Sequence, residues 1–459
     1  MLADAGWDVL VLEARDEPGG AVKSAELVEP GFTSDLFSAF HPLAVASPAM
    51  RALALEDHGL RWRRAAVAVA HPAADGSCPL VAFDLDESAA SLGVDGDAWR
   101  RLMARWAAVE PALLEALFTP FPPLRASTRL AAAVGLARLP GFLRFATRSY
   151  RGLGEAAFRT VPARRLLAGN AMHADVAPGS PGGGFFGWLL SGLAQTHGWP
   201  APAGGAGRLT DALVARLRAA GGELLCGAEV ARVDVRGGRA VGVVTVGGER
   251  VAARRAVLAD VSAPALYERL LDRPAWKRAE LRWWFRWDPS TVKVDWTLDA
   301  PIPWAAEGAR RAGTVHLGDD AFLVLGQYAP VDPGRAPEGR EVAWAYTHIA
   351  QGAEWTGVPE RMEEEVERLA PGFRASIRAR HVFTPPLLEA ADANLVGGAL
   401  NGGTARLGRQ LFLRPTPSSL GRPETPVRAL YLASASAHPG GGVHGACGAN
   451  AAHAALRRA

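Results

Sequence analysis

The residues of this chain whose types and spacing could do chemistry are an acid at the end of a short apolar run and two sets of closely spaced glycines. Glu13 closes the run WDVLVLE at residues 7–13. In a dinucleotide-binding unit, the acid ending the second strand bonds ribose hydroxyls about 20 residues after a glycine loop that lets backbone approach a pyrophosphate. A solvated surface acid is the other reading of Glu13. Two stretches match the spacing GxGxxG, GGGFFG at 182–187 and GGGVHG at 440–445. The first follows the turn-rich APGSP with no strand before it and reads as a flexible loop. The second stands between ALYLASA and GANAAHAAL, a predicted strand and helix. Amides at such a helix start stabilise an anion or an electron-rich ring edge.

The elements that must position these residues follow from the pattern around them. MLADAG resembles the last turn of a helix closed by Gly6, and WDVLVLE reads as a buried parallel strand after it. The chain therefore begins within a helix, and the expectation is that a first strand with its glycine loop lies upstream of Met1. Residues 50–200 read as helical, with no strand–helix alternation. GRLTDALVARLRAAGG then reads as a helix, and ELLCGAEVARVDVRGGRAVGVVTVGGERVAARRAVLAD as strands joined by Gly-Gly turns. Residues 280–350 suggest a second sheet, whose core would take in Trp283, Trp284 and Trp287 rather than leave them as an aromatic cage. MEEEVERLAPGF reads as a further helix.

Composition narrows the function classes. A chain of 459 residues exceeds the usual size of one hydrophobic core, so two connected domains are expected. Fifty basic and 47 acidic residues give +3, too even a balance for a nucleic-acid binder. Cys78, Cys226 and Cys447 are far apart and form no CxxC or Cys/His cluster, so free thiols are expected, with no metal site and no redox dithiol. No apolar run is long enough for a membrane span, and the opening residues lack the basic region of a signal peptide, which together predict a cytoplasmic protein. Six arginines at 125, 129, 138, 144, 148 and 151 sit among apolar residues with no acid between them. They read as a helical pair covering a substrate pocket, the alternative being peripheral contact with a membrane surface.

VLVLEARDEPGG near the start, GWPAPAGGAGRLTDAL, AGGELLCGAEVARV and the terminal LYLASASAHPGGGVHG resemble the phytoene-desaturase-like FAD-dependent oxidoreductases. Within that group the chain is most similar to the branch called pyridine nucleotide-disulphide oxidoreductase domain-containing proteins, through VDWTLDAPIPW at 294–304, RAGTVHLG at 311–318 and HPGGGVHGACGANAA at 438–452. The resemblance implies an α/β fold in which a split Rossmann-like FAD-binding domain with a β-meander is assembled from residues 1–60, 200–265 and 415–459. A mixed α+β substrate domain with a helical cover would take 61–199 and 266–414. It implies that Glu13 holds the adenosine ribose with Arg15 flanking it, that Gly19 and Gly20 pass beneath the cofactor, and that Val230 offers backbone on the adenine side. Gly441, Gly442 and Val443 would meet the flavin. His41 and His438 fall in segments placed near the flavin and are candidates to face substrate, or are histidines satisfied within loops. No catalytic side chain is named, since the flavin ring itself accepts hydride.

The expected activity is removal of hydride from a small hydrophobic organic substrate, by desaturation, oxidation or isomerisation, with FAD as acceptor. Two alternatives stand beside it, a flavin amine oxidase and a cofactor-free interaction protein that lacks the phosphate loop.

Overall fold

A computed structural model describes residues 1–272, 274–318 and 323–458. Its largest sheet has seven strands, in the order Ile377–Phe383, Ser290–Leu298, Glu341–Ile349, Leu323–Gln327, Ala312–Leu317, Val67–Ala70 and Leu80–Ala82. Neighbours run antiparallel except Ala312–Leu317 beside Val67–Ala70. Two of these strands lie in the stretch that reads as wholly helical; Val67–Ala70 and Leu80–Ala82 are too short and too uniformly apolar to show a strand period.

Alternation along these strands gives the sheet two unlike faces. Val292, Val294, Trp296 and Leu298 share one face with Val315, Leu317, Leu325, Ala343 and Ala345, and pack with Val358, Met362 and Val366 of the Val358–Leu369 helix in one core cluster. The opposite face is polar and aromatic. Register places Thr291 opposite His348, Lys293 opposite Tyr346 and Asp295 opposite Trp344, and His316 opposite Val324.

A helical layer built on Gly96–Phe118 and Gly183–His197 forms the other major core, with Trp99, Trp106 and Trp188 fully buried. Glycines allow the close approach. A Cβ on Gly192 would lie 2.2 Å from the Trp106 ring, and one on Gly187 would lie 2.9 Å from the Leu167 carbonyl oxygen. GGGFFG is thus not a flexible loop: Gly182, at φ +82°, precedes a 15-residue helix in which Gly183, Gly184 and Gly187 are buried. Side-chain-free surface for packing, rather than backbone freedom, is what those glycines supply.

Two short parallel pairs join distant parts of the chain, Leu10–Leu12 with Glu223–Leu225 and Val257–Ala259 with Leu430–Leu432. Between them in sequence runs the meander Val230–Arg236, Arg239–Thr245 and Arg250–Ala252. The turn before the first strand closes as expected, with Trp7 N donating to Leu2 O and Gly6 at φ +76°. The strand itself is not buried: Leu10 and Val11 are 41% and 40% exposed. Among the described residues this strand pairs only with Glu223–Leu225, which leaves its other edge without a neighbour.

Trp283 and Trp284 belong to the helix Ala275–Trp284 rather than to a sheet core, and Trp283 is exposed. The tryptophans are closely spaced along the helix, so they cannot all face inward. The arginine-rich segment is a helical pair, Leu124–Val134 and Leu136–Thr147, bent by 88°. Among the described residues no single helix is long and apolar enough to cross a membrane, although this bent pair passes by length and composition when taken together.

Candidate flavin site

Glu13 follows its strand directly, and its backbone is held on both sides: Glu13 N donates to Leu225 O and Ala228 N donates to Glu13 O. One carboxylate oxygen accepts from Arg15 N at 2.8 Å. Arg15 reaches across to the Ala390 carbonyl, and Gly227 N bonds Arg15 O at 2.8 Å, so the start of the meander at Val230 lies beside this turn. Gly19 and Gly20 have φ of +125° and +51°. A Cβ on Gly19 would meet the Val22 carbonyl oxygen at 2.9 Å, and one on Gly20 would lie 3.3 Å from Asp392. The fold therefore brings Glu13, Arg15, Gly19, Gly20 and Val230 together, and adds two acids that local sequence did not reveal. Asp260 directly follows the Val257–Ala259 strand; desolvation, with Asp392 and Glu13 nearby, pushes its carboxyl up to about 6. Desolvation likewise raises Asp392.

The C-terminal turn forms a second group. Gly440 and Gly442 have φ of +115° and +113°, and Gly445, at +65°, caps the helix Ala446–Arg457. Gly442 is exposed and has Leu43 close by, while Val443 packs in the same apolar cluster as Val22 and Leu209. The two halves of the site are thus tied around one small core. Ser47 Oγ donates to His444 O at 2.6 Å, fastening the Pro42–Ala46 helix to the turn.

His438 immediately precedes this turn in sequence, His41 stands before the Pro42–Ala46 helix, and both are buried. His41 Nε2 lies 3.1 Å from Ser38 Oγ, and His438 Nε2 bonds the Thr119 carbonyl at the end of the Gly96–Phe118 helix. Burial pushes each imidazole down to about 4, so both are neutral at pH 7. Each leaves Nδ1 with no hydrogen-bond partner among the described residues, and Asn450 Nδ2, in the first turns of the terminal helix, is likewise buried and unpartnered.

The polar face of the large sheet supplies what sequence reasoning missed. His348 Nε2 pairs with Asp175 Oδ1 at 2.7 Å, and Thr291 Oγ1 lies 3.3 Å from His348 Nδ1. Asp175 follows the Val161–Met172 helix and holds φ +54°, a region few non-glycine residues occupy. Asn401 donates its side-chain amide to Asp175 at 2.9 Å and its backbone N–H to Asp288 at 3.2 Å. The same Asn401 is the nearest neighbour of Gly441. Next along the sheet, Tyr346 Oη lies 3.2 Å from His173 Nδ1, and His173 Nε2 lies 2.8 Å from His316 Nε2. Lys293 is buried against Asp295, with both carboxylate oxygens at 2.5 Å. The signal in sequence was the alternation WAYTHIA, which puts Trp344, Tyr346 and His348 on one side of a strand.

These residues fit a flavin dinucleotide. A strand-end carboxylate suits a ribose, glycine backbone with exposed Gly442 suits a ring edge, and the orphaned polar atoms of Asn450, His41 and His438 suit the heteroatoms of a flavin.

Comparison with known proteins shows the family. Residues 1–455 match the family described as flavin containing amine oxidoreductase. The chain is 30% identical over 389 residues to a pyridine nucleotide-disulfide oxidoreductase domain-containing protein 2 of Mus musculus, covering 75% of this chain and 66% of that protein. It is 28% identical over 288 residues to a lycopene-forming phytoene desaturase of Paracoccus, 57% of this chain and 55% of the relative. The chain thus spans just under two thirds of the first and about half of the second. Among solved structures, an oxidoreductase from Methanosarcina mazei is alike in fold at TM-score 0.65 and 16% identity, covering 99% of this chain and 96% of that one. A putrescine oxidase bound to putrescine is alike at 0.62 and 16%, covering 99% and 95%. The chain belongs to the flavin containing amine oxidoreductase family, and its cofactor is FAD.

Proposed function

We propose that this protein is an FAD-dependent oxidoreductase acting on a largely apolar organic substrate. The single observation that carries the reading is the C-terminal glycine turn, which backs directly onto Asn401 and through it onto a buried acid–imidazole group. Bound flavin supplies hydride acceptance. The chain's own groups do the rest. Glu13 and the Gly19–Gly20 turn hold the nucleotide end, the 440–443 backbone shapes the ring end, and the aromatic side chains Trp199, Trp344 and Tyr346 keep water from the space beside the polar sheet face. The relatives that the chain resembles include phytoene desaturases, which supports an apolar substrate.

The bent helix pair suits delivery of such a substrate. Leu124, Leu136 and Leu143 are 71%, 77% and 58% exposed beside Arg125, Arg129, Arg138 and Arg144, a combination that matches an anionic bilayer surface.

The test is the visible spectrum of the purified protein, followed by anaerobic addition of polyenes, simple amines and alcohols. A flavin band that bleaches with one of these sets supports the reading. A protein that binds no added FAD overturns it, and hydrogen peroxide release with simple amines would assign it to the amine oxidases.

A further inference from the structure

Asp288 is 1% exposed, and its Oδ1 has no hydrogen-bond partner among the described residues. Its Oδ2 accepts the backbone N–H of Asn401 at 3.2 Å. The side chain of that Asn401 holds a second buried carboxylate, Asp175, whose other oxygen lies 2.7 Å from His348 Nε2. Arg414 acts on Asp288 through its charge, but its guanidinium is spent on carbonyl oxygens: Nε and Nη2 on Ala435, Nη2 also on Asn401, and Nη1 on Gly403 and Thr404. Two carboxylates on one asparagine, with an open oxygen on one of them, are costly in a protein interior. Nothing in the packing requires them. Burial, with Asp175 beside it, holds the Asp288 carboxyl at about 7, where a carboxyl exchanges protons most readily at neutral pH. The pair also lies one residue from the flavin-facing turn, because a Cβ on Gly441 would touch Asn401 itself.

We propose that Asp288 Oδ1 takes up the proton that the substrate gives up on oxidation, with Asp175, His348 and Asn401 as positioning residues, and that the substrate therefore carries an N–H or O–H on the carbon that is oxidised. This inference rests on the flavin oxidoreductase reading above. The balance is that of any such oxidation: the C–H bond breaks with its electron pair passing as hydride to oxidised flavin, the X–H bond breaks with its proton passing to Asp288, and C=X forms. A purely hydrocarbon substrate would leave the carboxylate pair without a partner. With the largely apolar substrate proposed above, this describes a long-chain or cyclic alcohol or amine whose polar end meets Asp288.

The test uses the full chain loaded with FAD and three matched probes, 1-dodecanol, dodecylamine and 1-dodecene, with binding followed by tryptophan fluorescence. At least one polar-ended probe is expected to bind about tenfold or more tighter than the alkene, the scale of one hydrogen bond to a charged group. Asp288→Asn keeps an acceptor for Asn401 N and should erase that preference while retaining the flavin spectrum. The preference should also change between pH 6 and 8 in the wild type, where Asp175, His348 and Arg414 are the charged or titratable groups facing Asp288, and should be flat in Asp288→Asn. His348→Gln, a milder change, should weaken the same probe. Equal binding of alkene and polar probes in the wild type overturns the proposal, as does a preference that survives both substitutions. A preference seen in a protein that shows no flavin band would leave the proposed binding of the polar end standing and remove the oxidoreductase reading instead.

Discussion

A Cβ built on Gly441 would stand 2.7 Å from the Cα of Asn401 and 2.6 Å from its Oδ1, so the glycine turn and the asparagine that carries Asp175 and Asp288 are in direct contact. Any side chain at 441 must move one of them.

Gly441→Val is therefore expected to shift or abolish the flavin absorbance and to lower turnover at least about tenfold, with a stability loss of about 1–3 kcal/mol from overpacking. Gly183→Val makes the control. Its Cβ would lie 3.2 Å from both Tyr150 and Val176 in the helical layer, so it should cost stability on the same scale yet leave the spectrum of bound flavin unchanged. Melting curves and visible spectra of the two variants check the contrast; a flavin spectrum altered by Gly183→Val and untouched by Gly441→Val would refute the assignment.

Replacing Glu13 by Ala removes the carboxylate that accepts from Arg15 N. FAD affinity should fall by about 1–3 kcal/mol, with the fold retained, which is the loss of one charge-assisted partner. Fluorescence titration of the apoprotein with FAD measures it. Wild-type affinity in the variant would return Glu13 to the status of a surface acid.

Glu341 predicts a pH dependence. Burial raises its carboxyl from 4.5 to about 8, against the opposing effect of the Tyr328, Ala329 and Val342 N–H groups that bond it. A carboxyl raised on folding contributes stability that is full below pH 4.5 and is lost as the pH rises through about 8. Glu341→Gln keeps the acceptor and loses the proton equilibrium. Urea denaturation between pH 5 and 9 should show the wild type falling relative to the variant by up to about 5 kcal/mol; parallel curves would show that Glu341 stays ionised.

Arg335 and Asp35 are a fully buried pair at 2.6 Å, and Asp35 also accepts from Ser24 Oγ, Ala206 N and Tyr328 Oη. Arg335→Met leaves that carboxylate buried without its cation and should cost about 3–5 kcal/mol. The double variant with Asp35→Asn should recover part of the loss. Additive effects in a double-mutant cycle would mean that the pair is not coupled.

The parts of this molecule legible in the sequence are those fixed by short-range pattern. Glu13 at a strand end, the meander after residue 223 and the turn at 440–445 between strand and helix are each written within one contiguous stretch of sequence. What local pattern could not show was contact made by register or by packing. Asp175, Asp288, His348 and Asn401 come from four separate segments and meet only because the sheet aligns Thr291 with His348 and loops return over it. The same limit explains GGGFFG. Glycines chosen for helix contact, as at Gly184 against Leu153 and Gly187 against Leu167, have the same spacing as glycines chosen for a ligand. Burial of the Leu10–Leu12 strand was misread for a third reason: an apolar run reports the neighbours that a strand prefers, whereas exposure depends on which of them are beside it.

The left-handed backbone at Asp175 has a consequence for anyone improving this protein. Holding a residue with a Cβ at φ +54° costs about 1 kcal/mol more than holding a glycine there, and the aspartate adds its repulsion on Asp288. Asp175→Gly would relieve both of these costs and at the same time strand the two groups, His348 and Asn401, that are arranged to hold the carboxylate.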